Sequence, residues 1–371
     1  MRLTFALVAT LSLTACGVED DDAAPDTAPA AKAEAAEASF DGKADWSFDL
    51  CERRGWYGDG ECDWFCARRD PDCNAAPLGP EPAGDAATYP IVLAHGFDGS
   101  PTNRWGWYKV AAALEADGHT VFVAEVPPYA PVKVRAAHLA RAIDAALDAS
   151  GADKVSLLAH SMGGLDCRQA ISGLGYGDRV ASLTTISTPH RGSAVADVAL
   201  KLLPGGASGA LDALARAWGR SFSNVADDPD LLGAFNDISE SAAPGFNAEN
   251  PDDPQVYYQS WAGVSSAFGL ANGKDAAACE GKLLRHPGTQ DTMNATLLPM
   301  AAFVGGIIKL EPNDGMVRVT SAKWGEFKGC IPADHLGEVG QPKHDEANVY
   351  TGFDHLRFYR NLAFDLTKRG F

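Results

Sequence analysis

From about residue 85 to the end of the chain, short apolar runs bounded by Gly, Pro and Asp alternate with Ala-rich stretches of helical period. Residues 91–94, 121–124, 155–159, 183–187 and 256–261 read as buried strands, and residues 107–117 and 132–149 as helices between them. Such alternation predicts a mostly parallel sheet covered by helices, an α/β architecture. Between residues 195 and 250, Leu211, Leu214, Trp218 and Phe222 recur at helical spacing with Asp212, Arg216 and Arg220 opposite. This insertion has two readings: a helix packed permanently on the domain, or a helical lid that exchanges burial between two states.

The N-terminal part follows other patterns. Arg2 precedes an apolar run over residues 3–13, and small residues lead into Cys16. The run is far shorter than the ~20 residues of a spanning helix, so residues 1–15 read as an export signal. Residues 16–45 are almost entirely Ala, Asp, Glu, Pro and Lys and read as a solvated tether, because they hold too little apolar surface to fold. Cys51, Cys62, Cys66 and Cys73 crowd into a module over 46–76, where export favours two disulfides in one of three pairings. A Pro-rich linker over 77–84 separates this module from residues 85–371.

Composition narrows the partners. Apolar residues make up 46% and charged residues 22%, the balance of a chain with a core. Thirty-one Lys and Arg against 49 Asp and Glu leave a net charge of -18, a field that repels phosphate backbones and anionic head groups. Nucleic acid is thereby excluded, and neutral or apolar substrates remain.

The sharpest chemical signal is Ala159-His160-Ser161-Met162-Gly163-Gly164, directly after a predicted strand and before a predicted helix. This is the context of a nucleophile elbow, whose tight turn requires small residues two positions either side of Ser161. His95-Gly96-Phe97 follows the first strand, where this fold takes one oxyanion donor; the backbone N–H groups of Phe97 and Met162 are the expected pair. The acid is expected at Asp314, in the turn-rich run Pro312-Asn313-Asp314-Gly315, with Glu311, Asp291 and Asp334 as competitors. Two histidines follow Asp314 inside an Asp-His-Leu triplet. His335 is the expected base, because His355 opens a helix-like run suited to capping or packing. The chemistry requires no metal or organic cofactor.

Three resemblances add to this reading. Leu13-Thr14-Ala15-Cys16 resembles a lipoprotein signal, which implies a lipidated Cys16 holding the chain on a membrane surface; Gly17 implies sorting to the outer membrane. The cysteine module loosely resembles Notch-type repeats, which bind Ca²⁺, although it has four cysteines where those have six. The runs around His95, Ser161 and Asp314, together with Ser187-Thr188-Pro189-His190-Arg191-Gly192, Ser260-Trp261-Ala262-Gly263 and His335-Leu336-Gly337-Glu338-Val339-Gly340-Gln341, resemble the bacterial true lipases. That family implies an α/β-hydrolase fold, a mobile lid, triacylglycerol hydrolysis and a structural Ca²⁺. Gln341 and Asp291 match candidate ligand positions, but Gly337 stands where the family places a carboxylate, which puts the ion in doubt. Cys279 and Cys330 bracket the acid loop and are expected to pair, leaving Cys167 as a buried thiol. Short esters and polyesters such as polyhydroxyalkanoates are alternative substrates. The non-enzymatic alternative is a surface-binding lipoprotein with an inactive hydrolase domain.

Overall fold

A computed structural model of the chain describes residues 49–60, 63, 66, 70–72, 76–97, 99, 106–202, 230–267, 269, 272–286, 289–306, 311–342 and 344–371. The export signal, Cys16, the tether, Cys62, Cys73 and the stripe Leu211, Leu214, Trp218 and Phe222 lie outside the described residues. Six strands form one parallel sheet: β1 (Ile91–Ala94), β2 (Val121–Val123), β3 (Val155–His160), β4 (Val180–Ile186), β5 (Tyr257–Gly263) and β8 (Glu326–Ile331), in the order β2-β1-β3-β4-β5-β8. Two short strands, β6 (Ser265–Ser266) and β7 (Asp291–Thr292), pair beside it.

Strands β1, β3 and β4 are buried at every position, as expected where helices cover both faces of a parallel sheet. Period-2 alternation then divides their side chains. Val92, Val155 and Leu157 meet Ala136, Leu139, Ile143 and Ala146 of helix α2 (Val132–Ser150). On the opposite face Ile91, Leu93 and Leu158 meet Val110 and Leu114 of helix α1 (Val110–Ala116) and Phe358, Tyr359 and Leu362 of helix α6 (His355–Lys368). The three- and four-residue spacing of the buried positions explains why these segments are helices. Asp354 caps α6 by accepting from the N–H groups of Leu356 and Arg357, and Gly151 ends α2 in the left-handed region at φ 70°.

Strand β4 begins at Val180, before the expected residue 183, because the polar Ser182 that interrupts the apolar run is buried with a partner in the sheet. Ser182 Oγ donates to Ser156 Oγ, and Gln259 Nε2 donates to Thr184 Oγ1. Residues 77–84, expected to be a linker, are held by hydrogen bonds with the C-terminal part of the chain: Leu78 is buried and donates its N–H to Gly352 O, while Arg357 bonds Gly79 O and Glu81. In the cysteine module a helix over Leu50–Arg54 carries Cys51, bonded to Cys66. Asp70 there accepts from the N–H groups of Gly58, Asp63 and Asp72 and so organises the turn.

Cys279 is bonded to Cys330 on β8, 51 residues later. Cys167 is a buried thiol whose pKa burial pushes well up. Closing a loop of this length restrains the unfolded chain by roughly 4 kcal/mol in the loop-entropy model. Denaturant titration of Cys279→Ser/Cys330→Ser should therefore show a loss of about that size. A loss under about 1 kcal/mol would show that the bond does not restrain the chain.

Candidate active site

The carboxyl ends of β1, β3 and β8 and the loop before β8 converge at one sheet edge, the usual place for ligands in open α/β sheets. Ser161 follows β3 directly with φ 55°, a strained value for a non-glycine residue. The turn is over-determined by its neighbours. Ser161 N–H donates to Ile186 O at 2.9 Å and Thr188 Oγ1 donates to Ser161 O at 2.8 Å. Glycine is required at two positions: a Cβ on Gly163 would lie 2.5 Å from Ala94 O, and one on Gly96 would lie 2.6 Å from Ser161 Cβ.

His335 reaches Ser161 from the loop after β8. Its Nε2 lies 2.9 Å from Ser161 Oγ and its Nδ1 lies 2.8 Å from Asp314 Oδ2. Asp314 is fully buried, and its Oδ1 accepts from Met316 N–H and Val317 N–H at 2.8 and 2.7 Å. Burial alone would raise its pKa, but His335 and these backbone donors outweigh it and hold the carboxyl below its ordinary value. The competing carboxylates are occupied elsewhere. Glu311 pairs with Arg318, Asp291 accepts from Asn348, and Asp334 accepts from the N–H groups of Asn294, Leu336 and Gly337. His355 opens α6 with its Nε2 on Tyr108 O at 2.9 Å, a packing role away from Ser161.

Phe97 and Met162 flank Ser161, and neither backbone N–H has an acceptor among the described residues. Sequence reasoning missed a layer beneath the triad. Glu338 is fully buried, 3.0 Å from His160 Nε2, and accepts from Ser187 Oγ at 2.6 Å. Burial, then the charge of Asp314, pushes the Glu338 pKa well up; burial, then His335, pushes His160 well down. Both shifts favour the neutral form of the group. Two neighbouring carboxyls pushed in opposite directions, Asp314 down and Glu338 up, show the kind of division that assigns acid–base roles. Nothing in the sequence marks this layer except the three-residue step from His335 to Glu338.

The profile of the alpha/beta hydrolase fold matches residues 89–229. Triacylglycerol lipase 2 of Saccharomyces cerevisiae is 29% identical over 281 residues, covering 71% of this chain and 74% of its own. The triacylglycerol lipase of Burkholderia plantarii is 26% identical over 69% of this chain and 80% of its own, and that of Vibrio cholerae is 27% identical over 68% and 79%. The chain is a carboxylic ester hydrolase of the α/β-hydrolase fold, homologous to the triacylglycerol lipases. Among solved structures, the Staphylococcus hyicus lipase shares the fold at a TM-score of 0.55 and 16% identity, covering 78% of this chain and 99% of its own. EstA from Clostridium botulinum shares it at 0.52 and 18%, covering 90% and 97%.

In this hydrolase Ser161 and His335 open into a cavity of about 450 Å³ whose other walls are mainly apolar. Val195, Ala196 and Ala199 come from a helix over Ala194–Leu202, Phe235 from one over Leu231–Asp237, and Met300 from one over Leu298–Gly305. An apolar acyl chain fits such walls; a charged or phosphorylated ligand finds no Lys or Arg among the described lining residues.

A second, smaller cavity of about 110 Å³ bears on the ion implied by the family resemblance: Asp291, Asp334, Gln341 and Glu346 are among its walls, with no Lys or Arg among its described lining residues. Asp291 and Asp334 are both buried, and Gln341 Oε1 is buried without a partner among the described residues. Burial, then the charge of Asp334, pushes the Asp291 pKa well up. Two buried carboxylates with no Lys or Arg beside them, next to an orphaned carbonyl oxygen, suit a hard cation. Gly337 offers no carboxylate, but the Asp334 carboxylate occupies the space beside it, 3.4 Å from where a Cβ on Gly337 would lie.

Proposed function

We propose that this hydrolase cleaves triacylglycerols through Ser161 as nucleophile, His335 as general base and Asp314 as orienting acid. The carrying observation is the imidazole of His335 bonded at once to Ser161 Oγ and Asp314 Oδ2 at the floor of an apolar cavity. His335 Nε2 takes the Oγ proton as Oγ attacks the ester carbonyl, and the N–H groups of Phe97 and Met162 receive the oxyanion. Asp314 keeps the proton on Nδ1 and stabilises the imidazolium. The imidazolium then protonates the departing glycerol oxygen, and water activated by His335 releases the fatty acid from the acyl-enzyme.

The lid assignment over residues 195–250, the boundaries 46–76 and 85–371 and the lipidated Cys16 of an outer-membrane protein belong to the same proposal. The two disulfides among the described residues agree with an extracellular setting. No described helix is long and apolar enough to cross a membrane.

A serine-directed fluorophosphonate should label the protein, and labelling should be lost in Ser161→Ala. Absence of labelling in the folded protein would favour a binding lipoprotein instead. Hydrolysis rates on glycerides and simple esters of rising chain length, above and below their solubility limits and beside a polyester film, test the substrate. Faster turnover of soluble short esters or of the film than of dispersed long-chain glycerides would overturn the triacylglycerol assignment.

Asp291, Asp334 and Gln341 are proposed to hold Ca²⁺. When bound, it supplies charge that ties the β7 segment to the loop carrying His335, with no part in proton or acyl transfer. An ion held at 100 times its Kd stabilises by ~2.7 kcal/mol, so EGTA should lower the melting temperature by roughly 5 °C, with recovery on adding Ca²⁺. A melting curve indifferent to both would remove the ion from this account.

A further inference from the structure

Arg135 lies on α2 and has no part in the triad, yet its guanidinium is completely buried. Its Nη2 donates to His95 O at 2.8 Å and to Gly96 O at 3.2 Å, and its Nη1 donates to Pro127 O at 2.9 Å. Its Nε donates to Asp166 Oδ2 at 2.9 Å. Asp166 belongs to the helix α3 (Gly163–Arg168) that leaves the elbow, and its N–H donates to Met162 O at 3.1 Å. A single buried group therefore touches the loop that carries Phe97 and the helix that starts after Met162.

We propose that Arg135 is the positioning residue of the oxyanion hole, aiming the Phe97 N–H and setting its separation from the Met162 N–H. This rests on the reading of Ser161 as the nucleophile. In a trans peptide the C=O and the following N–H point in opposite directions. Gly96 O is drawn to one side by Arg135, by Gly99 N–H at 3.3 Å and by His95 Nδ1 at 3.0 Å. The Phe97 N–H of the same peptide must then face the other way. Gly96 passes so close to Ser161 that a Cβ would collide with it, which puts that peptide beside the nucleophile. Donation by a cation also polarises the peptide and strengthens its N–H as a donor. Stability alone does not call for this arrangement, since a buried ion pair is often matched or bettered by apolar residues of similar volume. An apolar pair has no means of holding two carbonyl oxygens.

The test uses the full chain and begins with fluorophosphonate labelling of the wild type. Failure there removes the nucleophile assignment and is distinct from failure of this proposal. Arg135→Met/Asp166→Leu removes the clamp without leaving a buried charge unpaired, and Arg135→Lys keeps the charge but reaches fewer carbonyls. On a soluble p-nitrophenyl ester the double variant should lose about 10²-fold in kcat, close to the effect of losing one oxyanion donor, with KM within about twofold. Binding of a trifluoromethyl ketone, which forms a tetrahedral adduct on serine, should weaken by the same factor. Binding of the unactivated methyl ketone should not change, and Arg135→Lys should fall between wild type and the double variant. A folded double variant with kcat within about threefold of wild type would overturn the proposal. So would equal weakening of both ketones, which marks a general loss of site structure, and so would failure of every variant to fold, which would make Arg135 a structural residue.

Discussion

His335→Ala is expected to lower turnover of a soluble ester by about four to six orders of magnitude while the chain stays folded. The size follows from the unit character of the triad: once the base is lost, only oxyanion stabilisation and binding remain. Folding should survive because Asp314 keeps the N–H groups of Met316 and Val317 and is not left as a bare buried charge. His355→Ala should behave oppositely. It removes the imidazole that bonds Tyr108 O at the start of α6, so it should lower the melting temperature with kcat nearly intact. Initial rates and circular dichroism on both variants decide the assignment. An active His335→Ala beside a folded but inactive His355→Ala would reverse the two roles.

Local chemistry in the sequence favours His335 over His355, and the structure places His335 beside Ser161 and His355 on Tyr108 O. Asp354-His355-Leu356 opens a segment with helical spacing, and a side chain fixed in a first helical turn has little reach, whereas His335 follows Pro332-Ala333-Asp334 in a loop. The elbow was legible for the same reason, since close approach of Ala94 O to Gly163 leaves a mark in residue size. Strand β8 left no such mark. Glu326 is exposed, Lys328 is half-buried and Gly329 stands where Lys282 presses against the strand, so its apolar residues form no run. Glu338, His160 and Arg135 were illegible as a supporting layer because their partners lie 178 and 151 residues away for Glu338 and 31 for the Arg135–Asp166 pair. Nothing in the spacing of one chain encodes which buried polar groups satisfy one another across strands. Asp334 shows the same limit: adjacent to the base, it reads as a rival acid until its oxygens are found on the backbone of two loops.

Asp314→Asn should cost about 10⁴-fold in kcat without unfolding the protein, and the geometry states why an isosteric change is so damaging. Oδ1 of Asp314 accepts from two backbone N–H groups, so the amide oxygen of asparagine will occupy that place, where its NH₂ group would meet donors instead of an acceptor. The NH₂ group must then take the position of Oδ2, 2.8 Å from His335 Nδ1. Facing a donor, Nδ1 becomes the acceptor and the ring proton moves to Nε2, the nitrogen that has to receive the proton of Ser161 Oγ. The imidazole stays in place in the wrong tautomer. Asp334→Asn provides the contrast, because that carboxylate meets backbone N–H groups and the proposed Ca²⁺ but neither nitrogen of His335; it should lower stability and leave the triad chemistry in place. Single-turnover acylation rates for both variants, with melting curves as controls, test the distinction. Acylation by Asp314→Asn within tenfold of wild type would show that Asp314 does not set the tautomer of His335.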